Sequence, residues 1–513
     1  MLIKTFSSTV FGVDAITITI EVNVMQGQGY IIVGLPDSAV KESIQRMESA
    51  IKTNGYMMPR TKLVVNLSPA DMRKSGSAFD LAITMGTLAA SGQLLDTEKL
   101  GEYVIMGELN LDGGIQPVKG VLPVAIQAKK EGFKGLIVPR QNAREAALVN
   151  GLQIYGIGHL NELIRFFVYN EEPELTKVNA REEFLDMQSD FEFDFHDVKG
   201  QSNIKRALEI AAAGSHNAIL IGPPGAGKTM LARRLPSILP PLSLMEALET
   251  TKIHSVAGKL PENATLVSRR PFRAPHHTIS STALVGGGSI PQPGEISLAH
   301  HGVLFLDELP EFKRAALEVM RQPMEERKVT ISRAKIAIDF PASFMLIASM
   351  NPCPCGYYNH PSKECSCPTG TIQKYLNKIS GPLLDRIDLH VEVTPVGYGE
   401  LSSPQKQEKS ATIRERVLAA RAIQTDRYKE EPGIYANAQI GSRQLREVCV
   451  INQAGHNLLK AVMDRLNLSA RAYDRILKVS RTIADLASSE DIKVEHLAEA
   501  IQYRNLDKQG WAG

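Results

Sequence analysis

Two hydrophobic periods divide the chain into predicted strands and helices. In residues 16–24, Ile and Val alternate with polar residues, which is the period of a half-buried strand. Longer stretches in which apolar residues recur every three or four positions are typical of helices. Over residues 1–170 these patterns predict a mixed α/β domain, with strands at 16–24, 30–33, 62–67 and 103–107 and helices at 39–54 and 79–90.

The pattern changes twice further along the chain. Residues 195–395 follow a strand–loop–helix order, which predicts an α/β domain built on buried parallel strands. The apolar runs lie at 218–222, 303–306 and 344–348, and a helix is predicted at 228–235. From residue 396 to 513 helical periodicity dominates, so we predict a helical carboxy-terminal domain with an apolar stripe at Ile476, Val479, Ile483 and Leu486.

Composition and charge limit the classes of protein to which the chain can belong. Residues 171–194 carry nine acidic and two basic residues, which predicts an exposed acidic linker. Fifty-eight Lys and Arg against 56 Asp and Glu give a net charge of +2, so nucleic-acid contact requires local basic patches. No apolar run reaches the roughly 18 residues of a membrane span, and the start lacks a secretory signal. We therefore expect a cytoplasmic protein with no membrane partner.

The strongest chemical signal is a G-x-x-x-x-G-K-[ST] loop between a predicted strand and a predicted helix. Its glycines allow backbone N–H groups to surround phosphate oxygens. The lysine can reach the β and γ phosphates, and the threonine hydroxyl can hold Mg²⁺. The sequence therefore predicts an ATP and Mg²⁺ site at Gly222, Pro223, Pro224, Gly225, Ala226, Gly227, Lys228 and Thr229.

A pair of acids follows the apolar run at 303–306. Asp307 and Glu308 would stand at the carboxyl edge of a parallel sheet, where ligands of open α/β sheets bind. We expect Asp307 to hold Mg²⁺ and Glu308 to polarise the attacking water. Such a pair is common by itself, and the phosphate loop upstream makes it specific.

These motifs resemble those of the AAA+ ATPases. Asn351 matches the sensor-1 position, and residues 381–388 match the arginine-finger region of the magnesium-chelatase and minichromosome-maintenance branch. The resemblance implies that Arg386 acts on a neighbouring subunit's nucleotide; a local pair with Asp385 or Asp388 is the alternative. Arg471, or Arg475 one turn away, matches sensor 2. Asp197 and Gln201 match the segment that borders the adenine pocket.

The whole chain resembles the ComM/YifB family of magnesium-chelatase-like ATPases. Residues 270–277, the glycine-rich insert at 286–295 and the cysteine segment carry this resemblance beyond the ATP site. The resemblance implies a cytoplasmic homo-hexamer that moves branched or single-stranded DNA without sequence preference. A protein-remodelling ATPase of the magnesium-chelatase type is the alternative. A non-enzymatic nucleotide switch is disfavoured, because a switch needs neither Glu308 nor Arg386.

Residues 1–170 resemble the Lon-protease domain, which is an α+β fold. Ser77 falls at the position of the Lon nucleophile, but residues 121–127 contain no Lys where the catalytic lysine is expected. Lys119 is close by and out of register. Because the serine needs a base, we predict a scaffold or assembly domain without peptidase activity.

Two basic regions are candidates for DNA contact. Residues 326–338 read as a hairpin and resemble the pre-sensor-1 hairpin of replicative helicases, with Arg333 and Lys335 near its tip. Such residues would contact phosphates without reading sequence. A second cluster, which could face DNA, a neighbouring subunit or solvent, comprises Arg269, Arg270, Arg273, His276 and His277.

Four of the five cysteines lie within fifteen residues of one another. Cys353, Cys355, Cys365 and Cys367 offer the four thiolates of a closed zinc site. His360 could replace one of them, and four free thiols are the alternative. Cys449, on an apolar helix, is predicted to belong to the core.

Overall fold

An antiparallel strand pair begins the amino-terminal region of the computed structural model, which describes residues 2–504 except 95–96, 180–183, 185–190, 262–265, 289, 334–335, 361, 403–406, 432 and 467. The strands are β1 (Leu2–Phe11), β2 (Asp14–Met25), β3 (Tyr30–Val33), β4 (Lys62–Ser68), β5 (Tyr103–Ile105), β6 (Glu108–Leu109), β7 (Ile115–Gln116), β8 (Gly135–Pro139) and β9 (Gln153–Ile157). Seven of them form one sheet in the order β3–β4–β2–β1–β5–β8–β9. The four predicted strands are therefore present, and β5 ends two residues earlier than expected.

Helices cover this sheet and fix its core. They are α1 (Ser38–Thr53), α2 (Asp80–Ala90), α3 (Val121–Lys130), α4 (Ala143–Ala146) and α5 (Leu160–Val168). The Asp37 side chain accepts from the Val40 N–H at 2.9 Å, which caps the start of α1. Every residue of α2 is buried, as its almost continuous apolar sequence requires. Both predicted helices of this region are confirmed to within one residue.

A parallel five-stranded sheet forms the centre of residues 195–393. The strands of this region are β10 (Ala218–Ile221), β11 (Phe272–Arg273), β12 (Gly286–Gly287), β13 (Gln292–Pro293), β14 (Val303–Leu306), β15 (Lys328–Arg333), β16 (Ile336–Pro341), β17 (Met345–Met350) and β18 (Leu389–Glu392). The parallel sheet has the order β11–β14–β17–β10–β18, and β15–β16 is a separate hairpin. The predicted strands and hairpin are confirmed. β17 starts and ends later than the apolar run suggested.

The remaining helices surround this sheet and complete the carboxy-terminal region. Around the sheet lie α6 (Ser202–Gly214), α7 (Lys228–Arg234), α8 (Leu244–Val256), α9 (Ser281–Val285), α10 (Glu295–Leu298), α11 (Arg314–Glu318), α12 (Arg321–Glu326), α13 (Thr369–Leu376) and α14 (Gly381–Leu384). The lid consists of α15 (Tyr398–Ser402), α16 (Ser410–Arg427), α17 (Ser442–Val448), α18 (Gln453–Leu466), α19 (Ala470–Leu486) and α20 (Val494–Gln502). The stripe on α19 faces the core as predicted, because Ile476, Val479 and Ile483 are buried. No helix in the described part of the chain is long and apolar enough to cross a membrane.

The linker between the two sheets is less exposed than its composition suggested. Phe184 is buried in a small apolar cluster with Leu122, Leu242 and Leu266, which joins the amino-terminal region to α8. At the same contact the Glu145 carboxylate accepts from the Leu122 N–H at 2.9 Å and from the Ser255 hydroxyl. The acidic segment therefore contributes an aromatic anchor to a domain contact, although most of its described residues are exposed or half-buried.

Candidate nucleotide site

The phosphate loop connects β10 to α7 by a path that only glycine can follow at several points. A Cβ on Gly222 would lie 2.3 Å from the Val393 carbonyl oxygen. Gly225 and Gly227 have φ values of +75° and +85°, in the left-handed region that side chains disfavour. The loop therefore requires the glycines that define its motif, and it delivers Lys228 at the first position of α7.

Lys228 is held over the loop by three acceptors. Its Nζ donates to the carbonyl oxygens of Gly222 at 2.7 Å and Pro223 at 2.9 Å, and to Asn351 Oδ1 at 3.1 Å. Burial lowers the pKa of this ammonium group, and the carboxylates of Asp307 and Glu308 oppose that shift. Lys228 and Asn351, which the sequence assigns to phosphate binding and to sensor 1, are thus in direct contact.

Asp307 organises the candidate metal site. Thr229 Oγ1 donates to Asp307 Oδ2 at 2.6 Å, and the Ser349 hydroxyl donates to the other carboxylate oxygen. Hydroxyl and carboxylate oxygens are the ligands that Mg²⁺ prefers, so the donor set fits this ion. Ser349 was not predicted as a site residue.

Glu308 lies in a strained backbone conformation beside the same cleft. Its φ is +54°, and its side chain is 56% exposed. The His277 Nδ1 lies 3.4 Å from Glu308 Oε2. The imidazole provides a partner for Glu308 that the sequence pattern did not reveal.

These groups line one open cleft at the carboxyl ends of β10, β14 and β17. It has a volume of about 420 Å³ and is lined by residues 224–230, 307–308 and 349–351. The structure brings the predicted phosphate loop, acid pair and Asn351 together in this cleft. Gln201 lies at its rim, where its Nε2 donates to the Thr394 carbonyl at 2.7 Å and lies 3.4 Å from that of Ala226. Asp197 forms an ion pair with Arg234 at 3.2 Å, at the end of α7.

Arg386 is not free to reach out of the single chain. Its side chain is 6% exposed, and its guanidinium lies 2.6 Å from Glu325 Oε1. The local partner is therefore Glu325 rather than Asp385 or Asp388. Asp388 pairs instead with Arg475, at 3.0 Å. The Arg475 side chain is therefore held by a buried carboxylate, whereas Arg471 is exposed.

The four cysteines of the cysteine segment lie close enough together to hold one metal ion. The Sγ atoms of Cys353, Cys355 and Cys365 lie 3.3–3.6 Å apart, and Cys367 completes a group within 4.8 Å. Four sulfurs around zinc at 2.3 Å would be separated by about 3.8 Å. His360 is outside this group, and its Nδ1 accepts backbone N–H groups. Cys449 is buried, as predicted for a core residue.

The same segment packs directly against the phosphate loop. It begins two residues after Asn351, and Gly356 lies so close to Pro224 that a Cβ would come within 2.4 Å of the proline Cδ. Gly356 also has a φ of +86°. The shape of the cysteine segment therefore supports the loop from outside, which was not predicted.

The structure describes the two basic regions that are candidates for DNA contact to different extents. The strands of the hairpin pair as far as Arg333 and Ile336. Lys335 lies outside the described residues, so its position stays a prediction. In the second basic cluster, Arg273 pairs with Glu295 at 2.6 Å and Arg270 with Glu246 at 3.2 Å. Two arginines of that cluster therefore serve internal ion pairs.

The serine of the amino-terminal region has an acidic partner. The Ser77 hydroxyl donates to Glu108. Lys119 packs over Gly258 of the neighbouring core, where a glycine Cβ would meet its side chain at 2.6 Å. Lys74, which is buried, donates to the Met72 carbonyl at 2.9 Å. That this region lacks peptidase activity stays a prediction.

Comparisons with known proteins cover most of the chain. Residues 194–401 match the family model of the magnesium chelatase subunit ChlI, residues 20–142 match a second ChlI model, and residues 407–504 match its carboxy-terminal model. The chain is 44% identical over 502 residues to the competence protein ComM of Haemophilus influenzae, covering 97% of this chain and 96% of that protein. It is 44% identical over 506 residues to YifB of Escherichia coli, with the same coverage. Lon protease 2 of Bacillus subtilis is 33% identical over 154 residues, or 27% of this chain and 26% of that protein.

The parallel sheet, its phosphate loop and the helical lid define a nucleotide-binding protein of the AAA+ magnesium-chelatase type. The 44% identity to ComM and YifB over nearly the full length identifies the family within this class. The chain belongs to the ComM/YifB family of magnesium-chelatase-like proteins.

The contact between Gly356 and Pro224 leads to a stability prediction. Gly356→Ala places a methyl group against the proline and strains the left-handed backbone, so we expect the free energy of unfolding to fall by about 1–3 kcal/mol. Gly370→Ala is the matched control, since nothing lies within 4 Å of its added Cβ. Denaturant titration measures both. Equal stability of the two variants would contradict the packing described here.

Proposed function

We propose that this protein is an ATP-driven ring motor of the ComM type, which translocates on DNA or moves DNA branches in recombination and natural transformation. The proposal rests on the combination of the assembled ATP site with 44% identity across 96% of ComM. We further propose that it works as a cytoplasmic homo-hexamer on single-stranded or branched DNA.

The cleft fits ATP with Mg²⁺, which supplies charge neutralisation at the phosphates when bound. Residues 222–229 would hold the phosphates through backbone N–H groups and Lys228. Thr229 and Asp307 would hold the metal ion. Asp197 and Gln201 would border the adenine pocket, and Arg471 of the lid would reach the phosphates.

Glu308 is the proposed general base for hydrolysis. It stands beside the cleft and is exposed, so a water molecule can approach it. Asn351 contacts Lys228 and would help to place that water. His277 would hold the Glu308 side chain until the site is complete, because the two groups lie 3.4 Å apart.

Arg386 is the proposed trans-acting residue of the ring. A guanidinium at a neighbour's γ-phosphate can raise the rate by about 10³–10⁵. Within one chain this group is held by Glu325, so ring assembly would have to exchange that carboxylate for the neighbour's nucleotide. This requirement would keep an isolated subunit a poor ATPase.

The second candidate function is remodelling of a partner protein. It is favoured by the ChlI match over residues 194–401, since that family model is named for a magnesium chelatase subunit. The two functions differ in what stimulates hydrolysis. We expect single-stranded or forked DNA to raise the ATPase rate, and a rate that is indifferent to DNA would favour remodelling.

Replacing the proposed base should separate binding from turnover. Glu308→Gln keeps the shape of the side chain and removes the charge that polarises water, so we expect normal ATP affinity with turnover reduced by about 10²-fold or more. Nucleotide binding and steady-state phosphate release measure the two effects. Glu311→Gln, an exposed acid on the next turn, is the control. Full turnover in Glu308→Gln would disprove the assignment.

We expect phosphate contacts at the hairpin tip to cause the salt dependence of DNA binding. If Lys335 from each subunit contacts a phosphate, log K should fall with log salt at a slope of about −0.7 per contact on single strands. Lys335→Ala should flatten this slope and abolish branch movement, while leaving basal hydrolysis intact. Binding isotherms at several salt concentrations and a junction-migration assay test this, with Lys328→Ala at the hairpin base as the control. Unchanged branch migration in Lys335→Ala would place DNA elsewhere.

The cysteine segment is the proposed site of a structural zinc ion. Its sulfur spacing fits the ion, and the zinc would fix the segment against Pro224. Elemental analysis should find about one zinc per chain, lost in Cys365→Ser combined with Cys367→Ser. Because structural zinc contributes folding free energy, the double variant should melt earlier, whereas Cys449→Ser should keep its zinc. Fully stable metal-free protein would contradict the site.

A further inference from the structure

A second polar cavity lies at the opposite edge of the core sheet from the phosphate loop. Its core wall includes Asn217, Gly302 and Met345, which stand at the amino ends of β10, β14 and β17. Its other wall comes from the lid, through Arg421 and Arg475. A four-residue strand spans about 13 Å, so this cavity is separate from the nucleotide cleft.

Cations outnumber anions around this cavity. Four arginines line it against two carboxylates, Glu246 and Asp388. Both carboxylates are already engaged, because Glu246 pairs with Arg270 at 3.2 Å and Asp388 with Arg475 at 3.0 Å. The other two arginines, Arg327 and Arg421, form no ion pair with these carboxylates, although the Glu246 charge also acts on Arg421.

Arg327 and Arg421 donate hydrogen bonds to neutral oxygen atoms. Arg327 donates to the carbonyls of Gly433 and Gln439, at 3.1 and 2.8 Å. Arg421 donates to the carbonyls of Tyr435 and Ala212 and to the Ser215 hydroxyl. Within the described chain, no carboxylate comes within ion-pair distance of either guanidinium. Carbonyl and hydroxyl dipoles compensate these charges only in part, and Arg421 alone also has the more distant Glu246 carboxylate.

Lys478 of α19 adds a third cation nearby. Its Nζ donates to the carbonyls of Ala438 and Ile440, at 3.3 and 2.6 Å. Burial lowers its pKa to about 8, and the charge of Arg475 adds to this shift. Burial and Arg270 lower the pKa of Arg421 to about 9. The local environment therefore opposes positive charge and would favour an anion.

We propose that this cavity binds a small oxyanion of the phosphate class, which bridges Arg327 of the core and Arg421 of the lid. Guanidinium groups recognise phosphate through paired N–H donors, and the Arg421 Nε is buried without a hydrogen-bond partner. The cavity measures about 80 Å³. A water molecule needs roughly 10–15 Å³ by the same measure, so the space suits one phosphate-sized ion and is too small for a nucleotide.

Occupation of this site would tie the lid to the core. Arg327 caps the end of α12, and Arg421 lies within α16. Across this contact Arg327 of the core is repelled by Arg475 of the lid, and Arg421 of the lid by Arg270 of the core. An anion in the cavity would offset this repulsion. Because ligands that bind only the folded state raise its stability, inorganic phosphate should stabilise the protein independently of ATP hydrolysis.

The test is a titration of the full chain with inorganic phosphate. ADP and Mg²⁺ are present at saturation to occupy the phosphate loop, and NaCl keeps the ionic strength constant. Calorimetry should detect phosphate binding, and the melting temperature should rise with phosphate but not with chloride. Arg327→Gln and Arg421→Gln should each weaken phosphate binding about tenfold or more. Arg465→Gln, an exposed arginine on α18, should have no effect.

Further variants separate this site from the nucleotide cleft. Lys228→Ala should keep the phosphate response, because its ammonium group lies at the other edge of the sheet. If Arg421→Gln does not fold, Lys478→Met replaces it and should also weaken binding. The proposal is overturned if ADP-saturated protein shows no phosphate-specific heat, or if Arg327→Gln binds phosphate as tightly as the original chain.

Discussion

Parallel pairing of β10, β14 and β17 is the constraint on which the rest of the core depends. The pairing sets Ile221 opposite Met350 and Leu306 opposite Ala348. The residues that follow these strands therefore emerge at one edge and at nearly the same height. The phosphate loop, the acid pair and Asn351 meet there because buried apolar strands fix the register, and the polar groups depend on that register for their contacts.

This dependence explains which parts of the site could be predicted. The phosphate loop, Asp307 and Asn351 each follow directly on an apolar strand, so local sequence is sufficient to place them. Glu325 as the partner of Arg386, and His277 as the partner of Glu308, could not be found in this way. Glu325 lies 61 residues from Arg386 and meets it only through folding, and His277 follows a two-residue edge strand that carries almost no periodic signal. Contacts between loops that are far apart in sequence do not affect the spacing of hydrophobic residues, so the pattern does not reveal them.

The domain contact shows a second limit of sequence patterns. Net acidity predicts an exposed linker at residues 171–194, but an average over the segment hides one buried aromatic residue, Phe184. The second basic cluster is a similar case. In the sequence it reads as a group of exposed cations, but in the structure Arg270 and Arg273 are ion-paired. Composition predicts solvation of a segment, whereas burial is decided residue by residue by packing against other elements.

The segment 385–388 links the lid to the proposed trans-acting arginine. Asp388 is fully buried and holds Arg475 of α19, while its backbone neighbour two positions earlier is Arg386. Asn217 fixes the geometry between them, since its N–H donates to Asp388 and its amide donates to the Arg386 carbonyl. Removing one partner of a buried ion pair costs about 3–5 kcal/mol, so moving α19 away from Asp388 would be strongly unfavourable. In the proposed ring, a lid movement that followed nucleotide exchange would therefore carry this segment with it and shift Arg386 relative to Glu325. Such a shift would couple one subunit's nucleotide to the contact it offers its neighbour.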